Sequence, residues 1–296
     1  MKSAWFALCL VAVVAVLLLA QARPDEPGNA ATPATDPMRG KEAGQVRDDN
    51  SLKMKLVWCP PGDFEMTNVE FVVAPAAKLE TVADDDEGDP DDEPASKPRE
   101  TAKFTPVKVV LAGHWLGKYE VTQSEWKQVM QTEPWKGENY TKEGPDFPAT
   151  FVDWIDATNF CRKLTDLERE AGRLPNDWEY TLPTEAQWER ACRVLIEPRP
   201  DDSNDVSRFD DFGWFMENIW KTREYYPHAV GQKKANPWGL FDMHGNVWEW
   251  CYDIYTDKLP GGRDPLVKPD EKTPENSRRV IRGGGWNFSA GCCRPE

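Results

Sequence analysis

Basic charge is scarce in this sequence, and it is gathered nowhere. Lys and Arg number 36 against 51 Asp and Glu, for a formal charge of -15 at pH 7. No basic stripe exists that could neutralise a phosphate backbone, which argues against a nucleic-acid partner. Histidine is scarcer still. His114, His228 and His244 stand apart from one another and from any C-x-x-C pair, so no zinc site is legible. A repeating βαβ pattern is also missing, which excludes a doubly wound parallel sheet.

What is present begins with Lys2 and the apolar run "AWFALCLVAVVAVLLLA" from Ala4 to Ala20, closed by the small-residue site Ala20-Gln21-Ala22. That pattern reads as a signal peptide over residues 1–22, cut after Ala22, and implies a secreted, periplasmic or cell-envelope protein. Left uncleaved, the run is long enough to anchor in a bilayer. Export makes oxidised cysteines an expectation. Six cysteines follow the cleavage site (Cys59, Cys161, Cys192, Cys251, Cys292 and Cys293), and the spacing leaves their pairing open.

The acidity is local. Residues 81–100, "TVADDDEGDPDDEPASKPRE", hold nine acids and two bases and so contribute -7 of the total charge. Such a run reads as a solvated insertion rather than a cation store. Residues 23–50 carry few large apolar side chains, Met38 the longest, and read as a flexible linker.

The folded domain is expected over 51–296. A strand around Leu56–Cys59 precedes a Pro60-Pro61-Gly62 turn and a second short strand through Phe64 and Met66. Three helices have readable starts. Thr122 with Glu125 and Thr184 with Gln187 are capping boxes, and Asp153 caps a helix whose Ala157, Phe160, Cys161 and Leu164 share one face. Residues 197–240 dissolve into turns and aromatics. The mixture implies an α+β domain low in regular secondary structure.

Five collinear stretches then carry a family resemblance: "GKYEVTQSEWKQVM" (117–130), "FPATFVDWIDATNFCRKL" (147–164), "YTLPTEAQWERACR" (180–193), "NPWGLFDMHGNVWEWCYD" (236–253) and "RVIRGGGW" (279–286). Together they resemble the formylglycine-generating enzyme, or sulfatase-modifying factor, domain. The resemblance implies the formylglycine-generating-enzyme fold, a C-type-lectin-like variant stabilised by calcium. It also implies an oxidase that uses O2 and copper to convert a cysteine in a C-x-P-x-R motif of a sulfatase into Cα-formylglycine.

Carried over position by position, the resemblance assigns a calcium ion to the Asp242 carboxylate, the Gly245 and Val247 carbonyls and the Glu249 carboxylate, an oxygen set that suits Ca2+. A second calcium would begin with the Asn218 side chain and the Ile219 carbonyl. Trp248 and Trp250 read as core and cleft wall rather than a sugar platform.

Active relatives hold copper between two cysteines in a C-x4-C arrangement, thiolates being the soft ligands that copper(I) prefers. The second cysteine falls on Cys293, the catalytic candidate by position. The first falls on Phe288, which has no lone pair to give. Cys292 is a poor substitute, because neighbours in extended backbone point to opposite faces. Gly285 replaces a serine common in the oxidases, and the family's closing strand is not found before Glu296, which reads as a truncated C-terminus.

The sequence therefore implies a non-catalytic, calcium-stabilised module whose cleft takes a sulfatase-type C-x-P-x-R peptide, another protein segment or a glycan. The alternative is an active copper-dependent oxidase.

Overall fold

Short runs of β-branched and aromatic residues alternate here with long connections, and the backbone follows that text closely. The computed structural model describes residues 36–73, 100–194, 210–268, 270, 273–274 and 277–295, with strand backbone also at 12–14 and 17–20. In chain order the strands are β1 (Ala12–Val14), β2 (Leu17–Ala20), β3 (Val46–Arg47), β4 (Leu56–Cys59), β5 (Gly62–Val73), β6 (Glu100–Leu111), β7 (His114–Gly117), β8 (Trp178–Thr181), β9 (Trp248–Ile254), β10 (Gly262–Arg263) and β11 (Arg279–Arg282). The helices are α1 (Gln123–Met130), α2 (Trp154–Glu170), α3 (Glu185–Cys192) and α4 (Met216–Thr222).

Three sheets form, ordered β3-β4-β7-β2-β8, β1-β9-β11 and β10-β6-β5. The first is the structural centre. All four residues of β4 are buried, and β4 pairs antiparallel with β7 from Leu56 opposite Gly117 to Cys59 opposite His114. In the third, β5 and β6 pair antiparallel in unbroken register from Gly62 opposite Leu111 to Val73 opposite Glu100, and β10 adds a short parallel strand beside β6.

The three expected helices are present with their caps. Thr122 and Thr184 accept from the amides of Glu125 and Gln187 while those side chains reach back, and Asp153 accepts from Asp156. The α2 face of Ala157, Phe160, Cys161 and Leu164 is buried, and Trp126 of α1 stacks on Phe160 with ring centroids 5.4 Å apart.

Indole N–H groups knit the connections to the core, since a buried tryptophan seeks an acceptor. Trp154 donates to the Cys251 carbonyl and Trp250 to the Val152 carbonyl, both at 2.9 Å, fixing the start of α2 against β9.

Three expectations are revised. The strand through Phe64 and Met66 is twelve residues long, not short. The linker over 23–50 ends earlier than expected. Met38 and Asn50 are buried, Trp115 donates to the Met38 carbonyl at 2.6 Å, and β3 pairs with β4, so 36–50 belongs to the fold. The stretch 197–240 contains α4, which no capping signal announced. Within the run read as a leader, strand backbone is described at two places, β2 between β7 and β8, antiparallel to both, and β1 beside β9. Most of the acidic insertion, 81–99, lies outside the described residues, and Glu100 opens β6.

Candidate functional site

β9 alternates in burial along its length, which turns Glu249, Cys251 and Asp253 inward while Trp248, Trp250 and Tyr252 stay half-exposed. The loop that leads into it is anchored at Asn236. Its side-chain oxygen accepts from the Trp238 and Leu240 amides, and its amide group donates to the Ala191 carbonyl of α3 at 2.8 Å. From there the chain turns through four positive-φ residues, Gly239, Asp242, Gly245 and Asn246. Gly245 is obligatory, because a Cβ at its position would lie 2.1 Å from the Trp214 carbonyl oxygen.

This loop buries acid. Asp242, Glu249 and Glu120 are all among the buried residues, and none of the three forms an ion pair among the described residues. Burial pushes the Asp242 carboxyl up to about 7 and the Glu249 carboxyl up to about 8. Glu120 is raised well above the ordinary carboxylate range, by burial first and then by the charges of Asp242 and Glu249.

The loose ends are on the acids themselves. Asp242 Oδ2 accepts from the Gly231 amide at 2.7 Å, whereas Asp242 Oδ1 and Glu120 Oε1 are buried without a hydrogen-bond partner. Glu249 Oε1 and the Val247 carbonyl oxygen converge: both lie 3.7 Å from the point where a Cβ on Gly283 would stand. Carboxylates with an open oxygen beside a backbone carbonyl form a donor set that fits Ca2+. Among the described residues no three His, Cys, Asp or Glu side chains stand close enough to hold an ion by themselves. A cation here would have to draw on the Gly245 and Val247 carbonyls as well as on side chains.

Asn218 and Ile219 stand in α4, after the Gly213–Trp214 segment that packs on the loop, and their oxygens are engaged. Asn218 accepts from the Phe215 amide at 3.0 Å and donates to Gly213, and the Ile219 carbonyl accepts from the Arg223 amide at 2.9 Å.

The thiols are arranged differently from the extended backbone expected at 292–293. Ala290–Cys293 is a single 3-10 turn. Cys293 is buried against Phe215 and Ala290, and burial, reinforced by Cys292 and Glu217, pushes its thiol up to about 12. Cys292 is exposed. The side chains diverge as expected, but because of the turn and not of an extended strand.

The six cysteines of the described residues are all free. The Phe288 ring meets Trp248 edge to face at 5.2 Å, and its carbonyl accepts from the Met216 amide at 2.8 Å. No second sulfur is offered at that place, so the residues present do not fit a two-thiolate copper site. His244, isolated in sequence, joins the two regions by donating from Nδ1 to the Cys293 carbonyl at 2.9 Å. Burial lowers its pKa, against the opposing effect of that hydrogen bond.

Glu120 and Asn246 were not legible as site residues. Glu120 follows Tyr119 in a motif that local reading assigns to a strand end, and its partners lie more than a hundred residues away.

Fold and loop together define a class: a lectin-like α+β domain with a buried acidic loop, next to which the Trp248 and Phe288 rings meet. Residues 42–296 match the family described as sulfatase-modifying factor enzyme 1-like domain, and the chain belongs to that family. It is 28% identical over 225 residues to "Chaperone protein LppX" of Paenibacillus barcinonensis, covering 62% of this chain and 73% of that protein. It is 31% identical over 154 residues to "Formylglycine-generating enzyme" of Streptomyces coelicolor, covering 48% of this chain but 43% of that protein, so it spans less than half of that relative. The solved structure of PvdO from Pseudomonas aeruginosa superposes with a TM-score of 0.57 at 20% identity, over 86% of this chain and 91% of that one, which is a likeness of fold.

Proposed function

We propose that the chain is an exported, non-catalytic member of the family, stabilised by calcium and using the cleft beside Phe288 to hold a peptide, a sulfatase-type C-x-P-x-R segment foremost, or a glycan. The observation that carries this reading is the state of the thiol pair. Phe288 occupies the first position, Cys293 is buried with its thiol held protonated, and Cys292 points to solvent. The thiolate, not the thiol, is the copper ligand and the nucleophile, and this environment opposes it.

Calcium is supported by the unpaired acids around 242–249. When bound it would supply charge balance and loop rigidity. Asp242 and Glu249 would hold it with the Gly245 and Val247 carbonyls, and Gly231 and Asn246 would keep the loop oriented. Export rests on residues 1–22. Cleavage after Ala22 would take β1 and β2 with it and open the facing edges of β7 and β8.

The test is direct. The full chain is incubated with Cu(I), O2 and a C-x-P-x-R peptide, and the peptide is examined by mass spectrometry. The expected result is an unchanged thiol. Conversion to the aldehyde would establish the oxidase reading instead, the one that the similarity to formylglycine-generating enzymes favours.

A further inference from the structure

Asparagine followed two residues later by a hydroxyl side chain, with no proline between them, occurs twice: Asn139-Tyr140-Thr141 and Asn287-Phe288-Ser289. This triplet is the acceptor pattern for an asparagine-linked oligosaccharide on a chain that passes through a secretory compartment, and it belongs on surface loops because the attached sugar is bulky.

The structure sets these two asparagines apart from others in the chain. Asn50, Asn68, Asn218, Asn236 and Asn246 are buried, and none of them begins such a triplet. Asn139 and Asn287 are both exposed and both stand in turns, and neither carboxamide makes a hydrogen bond among the described residues. The turns themselves are held by other groups. Thr141 Oγ1 donates to the Glu138 carbonyl at 2.8 Å beside Tyr140, whose φ is +58, and the Phe288 amide donates to the Gly285 carbonyl at 2.9 Å. A sugar on either Nδ2 nitrogen would therefore displace no internal bond.

The two triplets also meet in space at Trp286. Tyr140 packs on the Trp286 ring with centroids 6.1 Å apart, and Asn287 follows that tryptophan directly. The point where a Cβ on Gly285 would stand lies 3.4 Å from Asn287 Oδ1, 3.4 Å from Trp248 Cδ1 and 3.5 Å from Phe288 Cδ2. A glycan on Asn287 would begin beside those two rings.

We propose that Asn139 and Asn287 are acceptor sites for an asparagine-linked glycan attached during export. The proposal rests on the export reading above. In the transfer, Nδ2 forms a bond to the anomeric carbon of an oligosaccharide carried on a lipid diphosphate. The bond from that carbon to the diphosphate oxygen breaks, the lipid diphosphate leaves, and Nδ2 gives one proton to a base of the transferase. Nothing is oxidised or reduced.

The experiment produces the full chain, with its own leader, in a eukaryotic secretory host that supplies such a donor, beside Asn139→Gln, Asn287→Gln and the double variant. The parent is expected to carry two glycans, each single variant one and the double variant none. They are read as gel steps that peptide N-glycosidase removes and, by mass spectrometry afterwards, as aspartate at 139 and 287. Thr141→Ala and Ser289→Ala keep the asparagine and should lose the glycan, while Thr141→Ser and Ser289→Thr should keep it. That contrast separates acceptor chemistry from folding.

A chain recovered from the medium, beginning at Arg23, with both asparagines bare overturns the proposal and leaves export standing. One bare asparagine overturns its own assignment alone. A chain held in the cytosol with its leader intact overturns the export reading, and this proposal with it.

Discussion

Gly284 holds the Cys293 turn against the "RGGGW" segment. Its φ is +82, and a Cβ there would lie 2.4 Å from Cys293 Sγ and 3.0 Å from the Cys292 carbonyl oxygen. Gly284→Ala should destabilise the chain by about 2 kcal/mol or more, from strain and overpacking together. Removing the sulfur as well, in Gly284→Ala with Cys293→Ala, should return part of that loss and leave the φ penalty; urea denaturation of the set measures the coupling.

Asp253 makes a second residue-scale prediction. It accepts from the Glu185 amide at 2.8 Å and the Val267 amide at 2.9 Å, and burial raises its pKa from 3.8 to about 6 against the lowering effect of those bonds. The folded chain therefore binds this proton more tightly than the unfolded one. Its contribution is fully present below pH about 4 and is lost as pH rises through about 6, a change of up to about 3 kcal/mol. Asp253→Asn should flatten the fall in melting temperature between pH 4 and 6 relative to the parent. An unchanged slope would show that this carboxylate does not titrate there.

Residues of this kind were unevenly legible. Asp242 and Glu249 could be placed together from one contiguous motif, because the two carboxylates and the glycine between them lie within eight positions. Glu120 could not, since the hydrogen bond that gives it meaning crosses 126 positions. No local pattern encodes such a distance.

At the scale of elements, legibility followed hydrogen-bonding chemistry. The starts of α1, α2 and α3 were readable because their caps are side chains three residues from the amides they satisfy. The start of α4 was not, since Phe215 stands at its N-cap and the bond runs backwards, from the Phe215 amide to Asn218 Oδ1. The length of β5 was missed because 26 residues, most of the acidic insertion among them, separate its end from the start of its partner β6. Strand length in a ribbon is set by such pairing as much as by local propensity.

The element that most directly supports the acidic loop is α3, whose Ala191 carbonyl receives Asn236. Thr184→Ala removes one half of its capping box and should cost about 1 kcal/mol. Chemical denaturation should show that loss with an unchanged m-value, while Thr184→Ser should recover most of it.

For the molecule as a whole, the question is whether the first sheet keeps its N-terminal strand, which export with cleavage after Ala22 would remove. β2, from residues 17–20, separates β7 near 115 from β8 near 180. Hydrogen exchange should find the β7 and β8 amides slow in the intact chain. They should be faster after removal of residues 1–22, because the facing edges then lose their ladder partner. Equal protection in both forms would show that this strand adds nothing to the sheet.

The α+β class was legible from the mixture of short strands and capped helices. The family was legible because five motifs recur in order. The packing of 36–50 onto Trp115 and β4 was not legible, because its sparse apolar content conceals contacts made through backbone carbonyls and the single side chain of Met38.

The account holds that this chain keeps the family's fold and acidic loop while lacking its pair of thiolates. Titration of the full chain with Cu(I) against a chromogenic chelator tests that claim most directly. The account predicts that the chain withdraws no tightly held copper and that Cys293→Ala titrates like the parent. One tight equivalent per chain, lost in Cys293→Ala, would contradict it.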